Sequence, residues 1–165
     1  MIRYTKADPN FSAIRYVLRA RDAKAIQPAF TGLYSDGANI VCSDSRRLAF
    51  SPVVMPAGLF EVIKDTASEI ILGEQIDGQF PDYKKVVPDL SGVAAIEIHP
   101  ATKAAGASTA HYQIACAGAC VNYLYLEDAI KDIETAEAYV TGEISPCVIK
   151  TNLGTHIIMP IQVKK

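Results

Sequence analysis

The sequence predicts an α+β fold in which short amphipathic helices pack against several antiparallel strands. Two observations point to it. Apolar residues recur three and four apart in three separate stretches, and alternating apolar segments separated by turn residues lie between them. Together they give an order, a helix and then several strands, that implies a repeated unit. The chain has 165 residues, 50% of them hydrophobic and 21% charged, which suits one domain or two very small ones and excludes an intrinsically disordered chain.

Asp8-Pro9-Asn10 opens the first expected helix, in which Phe11, Ile14, Val17 and Leu18 form the apolar stripe and Arg15, Arg19, Arg21 and Lys24 lie on or near the wet side. Phe30 to Tyr34 and Asn39 to Ser43 then read as a hairpin around Asp36-Gly37, because glycine supplies a positive φ. After the polar turn Asp44-Ser45-Arg46-Arg47, the chain returns as a strand from Leu48 to Val54. Pro56 to Ala67 reads as a second helix, with Leu59, Phe60, Ile63 and Ala67 on its apolar side. Glu69 to Glu74 is the next strand, and Asp77 to Pro88, punctuated by Pro81 and Pro88, is an extended connector.

Ala94 to His99 alternates like a strand, and the small, polar run from Pro100 to Ala110 reads as the main loop. Tyr112 to Cys116 and Cys120 to Leu124 read as strands around Ala117-Gly118-Ala119. A third helix is expected where Leu126, Ala129, Ile130 and Ile133 oppose Glu127, Asp128, Asp132 and Glu134. Three closing strands fall at Ala138 to Thr141, Cys147 to Lys150 and Thr155 to Ile161.

The net charge of -2 hides an asymmetry: residues 1 to 50 carry eight basic and four acidic side chains, the remainder eight basic and fourteen acidic. A basic first third can attract phosphate, whereas the acidic remainder argues against a surface that coats nucleic acid throughout. Apolar runs are only a few residues long and polar residues follow Met1 to Tyr4, so a cytoplasmic protein with no membrane span is expected. Cys42, Cys116, Cys120 and Cys147 sit in apolar segments and read as reduced, buried thiols. A metal on Cys116, Cys120 and the histidines His99, His111 and His156 is the competing reading, against which stands the lack of a Cys-x-x-Cys knuckle. A triad of Ser43 or Ser45 with Asp44 and His156 lacks a nucleophile elbow, and there is no Gly-rich phosphate loop, so neither an enzyme nor a cofactor is expected.

Three segments read differently when taken together: Ser43-Asp44-Ser45-Arg46-Arg47-Leu48-Ala49, the connector Gly78-Gln79-Phe80-Pro81-Asp82-Tyr83-Lys84-Lys85-Val86-Val87-Pro88, and the tail from Ser145 to Ile149 with Ile157-Ile158-Met159-Pro160-Ile161. In that order they resemble the bacterial sliding clamp, the beta subunit of the replicative DNA polymerase. The family reads Thr-Asp-Gly-His-Arg-Leu-Ala in the first segment, of which this chain keeps Asp44, Arg47, Leu48 and Ala49. Where the family ends in Val-Met-Pro-Met-Arg-Leu, Ile158-Met159-Pro160-Ile161-Gln162-Val163 stands here.

The resemblance implies a shortened DNA-clamp-like fold, with residues 1–88 like the family's second domain and 89–165 like the latter part of its third. It also implies a non-catalytic replication processivity factor that tethers polymerase, clamp-loader or repair proteins through Gln-Leu-x-Leu-Phe-type peptides. Such a factor forms a homo-oligomeric ring around duplex DNA. The alternative is a monomeric clamp-like adaptor or competitor that binds peptide without encircling DNA. The family's peptide cleft lies between its second and third domains. The matching positions are Phe30, Ser43, Ser45, Arg46, Arg47, Leu48, Pro88, Ile144, Pro146, Ile157, Ile158, Met159, Pro160 and Ile161, although strand alternation makes some of them core. Arg15, Arg19, Arg21 and Lys24 belong to the helix expected to meet DNA phosphates.

Overall fold

The computed structural model describes residues 1–99 and 106–161, the side chains of 106 and 107 excepted. Among these, ten strands and four α-helices divide into two compact units, Met1–Tyr83 and Lys84–Lys165, and every strand pairing described is antiparallel.

In the first unit the order is β1 (Ile2–Thr5), α1 (Phe11–Leu18), α2 (Pro28–Thr31), β2 (Leu33–Ser35), β3 (Ile40–Ser43), β4 (Arg47–Ser51), β5 (Gly58–Asp65) and β6 (Glu69–Gln75). These strands lie in the spatial order β1-β6-β5-β2-β3-β4. The core joins Phe11, Ile14, Val17 and Leu18 of α1 to Leu33, Ile40, Cys42, Ala49, Phe60, Ile70 and Leu72 of the sheet. At roughly 25 cal/mol per Å² of apolar surface removed from water, this stripe holds the eight-residue helix, which is too short to persist alone.

In the second unit β7 (Ile96–Ile98), α3 (Gly106–Cys116), α4 (Tyr123–Ile130), β8 (Ala136–Tyr139), β9 (Cys147–Thr151) and β10 (Gly154–Ile158) follow one another, with strand order β10-β9-β8-β7. Ile114, Leu126, Ala129 and Ile130 of the helices are buried, as are Ile98, Ala136, Ala138, Ile149 and Ile158 of the strands. Asn122 caps α4, its Oδ1 accepting from Leu124 N–H at 2.9 Å, which supplies one of the helix's orphan donors with a partner.

Several sequence expectations are overturned. Residues 56–67 form no helix: Gly58–Asp65 is β5, hydrogen-bonded between β2 and β6. Its register shifts between Phe60 and Val62 and again between Val62 and Lys64, so the alternation that marks a strand is broken and the spacing imitates a helix. The reverse error affects Tyr112 to Cys116, which is the end of α3 and not a strand. There Gly118, at φ +100°, ends the helix: its N–H bonds Ala115 O at 3.0 Å and Ala119 N–H bonds Ile114 O at 3.2 Å, the paired bonds of a Schellman motif. Cys120 to Leu124 is likewise no strand, but the loop and first turn that start α4. Ile2–Thr5, passed over in the sequence, is a strand that pairs β6. Of the expected loop, 106–110 is helical and 100–105 lies outside the described residues. The cysteines divide: Cys42 and Cys147 are buried, but Cys116 is exposed and Cys120 half-buried.

Candidate functional site

The first-unit candidates gather around the β3–β4 turn, and α2, which carries the half-buried Phe30, packs on β3. Asp44 organises the turn. Its Oδ1 accepts from the N–H groups of Arg46 at 2.9 Å and Arg47 at 3.0 Å, and its Oδ2 accepts from Arg47 Nε at 3.1 Å. Ser43 Oγ donates to Arg47 O at 2.8 Å and accepts from Ser45 N–H at 3.1 Å. The Ser43 hydroxyl and the Arg47 guanidinium, both expected to meet a peptide, are thus already engaged in building the turn. Ser45 has φ +79° at the position where the family motif carries glycine, so this chain holds a side chain in left-handed backbone. Ser45 and Arg46 are exposed, and Leu48 is buried opposite Ser43 in the β3–β4 ladder.

In the second unit the candidates separate by exposure. Ile157 and Ile158 are 2% and 0% exposed and belong to the unit's core, whereas Met159, Ile161 and Ile144 are 47%, 46% and 77% exposed. Pro88, Pro146 and Pro160 are half-buried. The chain after β10 is held by Ile161 N–H, which donates to Cys120 O at 2.7 Å, so the loop before α4 lies beside the exposed apolar residues. Sequence reasoning missed that loop by reading it as a strand, although Asn122 ahead of an apolar run was a capping signal.

On α1 the guanidinium carbon of Arg19 lies 5.4 Å from the centre of the Tyr16 ring, and Arg15 is half-exposed with its Nε 3.8 Å from Asp65 Oδ1. Arg21 is committed locally, since its Nη1 donates to Thr31 O at 3.1 Å and ties the end of α1 to α2; Lys24 is exposed. The wet side of α4 and the turn after it carries Glu127, Asp128, Asp132 and Glu134.

Burial pushes the thiols of Cys42 and Cys147 up to about 12, away from the nucleophilic thiolate. Among the described residues no group of three or more His, Cys, Asp or Glu side chains is placed to hold a metal. Of the imagined triad, Ser43 and Asp44 are engaged in their own turn and His156 is buried in β10. No helix among the described residues is long and apolar enough to cross a membrane.

By sequence the chain matches no protein-family model and no curated protein. In fold it is similar to bacterial DNA polymerase sliding clamps. The DNA polymerase III beta subunit of Thermotoga maritima is 15% identical with a TM-score of 0.71, over 99% of this chain and 65% of that one. The sliding clamp of Bacillus subtilis is 14% identical with a TM-score of 0.66, over 99% and 64%. That of Pseudomonas aeruginosa is 13% identical with a TM-score of 0.63, over 98% and 66%. The chain therefore has the sliding-clamp fold and spans slightly less than two thirds of the length of these structures.

Proposed function

We propose that the chain is a sliding-clamp-like, non-catalytic replication processivity factor that binds short peptides of the Gln-Leu-x-Leu-Phe type in polymerase, clamp-loader or repair proteins and self-associates around duplex DNA. In this reading residues 1–88 correspond to the second domain of a clamp and 89–165 to the latter part of its third. The observation that carries it is the exposure of Met159 and Ile161, within the segment that resembles the end of the clamp sequence, in a chain with the clamp fold. A flexible thioether and two branched chains, Ile161 and Ile144, are suited to receiving a Leu-Phe anchor. Arg15, Arg19 and Lys24 supply cations for phosphates without base specificity.

A second reading, a monomeric clamp-like adaptor that binds peptide and leaves DNA alone, is favoured by one observation. The acidic side of α4 repels a phosphate backbone, as a helix lining a DNA channel should not.

Fluorescence anisotropy with a labelled Gln-Leu-x-Leu-Phe peptide tests both readings. Micromolar-range binding is expected, weakened about tenfold in a Met159→Ala, Ile161→Ala variant, in line with the loss of apolar anchors. Absence of saturable binding in the wild type would sink the peptide-binding function. Solution mass and salt-sensitive retention on circular DNA then separate the two: a mass several times 17.8 kDa with retention supports the ring, and a monomer that binds peptide but not DNA supports the adaptor.

A further inference from the structure

The arginines on and just after α1 are held in different ways. Arg21 donates to the carbonyl of Thr31, and the Arg19 guanidinium lies over the Tyr16 ring. Arg15 differs, because the group beside it is an anion: Asp65, the last residue of β5, has its Oδ1 3.8 Å from Arg15 Nε. That separation makes an ion pair but is too long for a hydrogen bond. Arg15 Nε is closed off from solvent and has no hydrogen-bond partner among the described residues. The guanidinium carbon lies 6.0 Å from the centre of the Phe11 ring, yet the side chain as a whole is 39% exposed. The Asp65 side chain is 26% exposed, so its charge is partly withdrawn from water and depends on a cation nearby. Lys64, its neighbour in β5, does not supply one. Its Nζ lies 2.5 Å from Glu69 Oε2, and Arg3 of β1 pairs with the same carboxylate.

We propose, resting on the DNA-binding reading above, that Asp65 is an internal competitor for the phosphate backbone: it holds Arg15 while no DNA is docked on α1 and surrenders it when a phosphate arrives. The exchange replaces an ion pair that lacks a hydrogen bond with a charge-assisted one, since a phosphodiester oxygen accepts directly from a guanidinium. What opposes it is the carboxylate left behind, which then draws a cation from solution. A phosphate contact at Arg15 therefore frees one counterion from the DNA and takes one up at Asp65. It adds affinity without adding to the salt dependence. Of the arginines here, Arg15 is thus the one whose phosphate contact is set by a second side chain of the same unit.

Anisotropy of a labelled duplex titrated with the full chain over a range of salt tests the competitor, using Asp65→Asn, Arg15→Gln and the two combined. Asp65→Asn keeps the shape and removes the charge. It is expected to bind duplex more tightly at low salt and to steepen the slope of log affinity against log salt by roughly 0.9, the release of one further counterion. Across about a fourfold rise in salt, that is an extra loss of roughly three- to fourfold. In the Arg15→Gln background the same change at Asp65 should leave the slope unaltered, because the competitor acts through Arg15. An unchanged slope in Asp65→Asn would overturn the competitor and leave the DNA-binding reading standing. So would a steeper slope that persists without Arg15, which would make Asp65 a general repulsive charge. Absence of duplex binding in all four proteins would overturn the DNA-binding reading as well. A second readout needs no DNA: the Arg15 Nε–H resonance, titrated with inorganic phosphate, should respond at lower phosphate in Asp65→Asn than in wild type, and identical titrations would overturn the competitor.

Discussion

The two units solve the same packing problem and present different chemistry to solvent. In each, a helix of eight residues lays an apolar stripe on antiparallel strands, with Ile14 and Val17 serving α1 as Leu126 and Ile130 serve α4. Outside that stripe α1 shows Arg15 and Arg19, whereas α4 shows Glu127 and Asp128. Burial thus specifies the architecture while leaving the wet face open to either sign, and it is the wet face that decides whether DNA is a partner.

The shared packing is where substitution costs most. Ile14→Ala and Leu126→Ala each remove a fully buried side chain and are expected to cost about 2–5 kcal/mol in urea unfolding, from lost transfer energy plus the cavity left behind. A loss near zero at one of them would mean that its unit is loosely packed. The contrast in charge is tested by reversal. Replacing Arg15 and Arg19 with Glu should weaken DNA retention about tenfold or more at low salt and flatten the salt dependence. Replacing Glu127 and Asp132 with Lys should strengthen retention and steepen the dependence. If the α4 variant leaves both unchanged, α4 does not meet DNA.

A smaller effect separates the units by acid. The hydrogen bond from Tyr83, with those from the N–H groups of Asn39 and Ala38, lowers the Asp36 carboxyl from 3.8 to about 2. A folded-state value below the unfolded one gives stability that is complete above about pH 4 and is lost as pH falls toward 2. For this surface group the effect is on the order of 1 kcal/mol after screening. Acid titration of Tyr83→Phe should show a shallower loss over that window, and a profile identical to wild type would remove Tyr83 as the cause. The smallest effect is at the β3–β4 turn. Ser45→Gly relieves a φ of +79° but frees the unfolded chain, for a net gain of about 0.5 kcal/mol, measurable as a raised thermal midpoint.

Much of the fold was legible where a single physical signal dominated. The stripe of α1, the Asp36-Gly37 hairpin and the three closing strands follow from helical spacing, a positive-φ turn and apolar alternation. Legibility failed where the local signal was spoiled or ambiguous. The irregular register of β5 scrambled its alternation. Tyr112, Ile114 and Cys116 alternate like a strand within a helix whose only buried residues among 108–116 are Ala110 and Ile114. The candidate site shows the same limit: the segments were found by their resemblance to a known family, but not which side chains are spent internally.

From sequence alone came the fold class and the charge asymmetry, because composition and periodicity are properties of the chain itself, and the segments worth inspecting, because they resemble those of a known family. Only the tertiary structure decided that Ile157 and Ile158 are core while Met159 and Ile161 face solvent, and that Tyr83 reaches back to Asp36. Each of those outcomes depends on partners brought near by folding. Exposure and hydrogen bonding are set by what lies across the sheet or turn, which no local pattern of residues encodes.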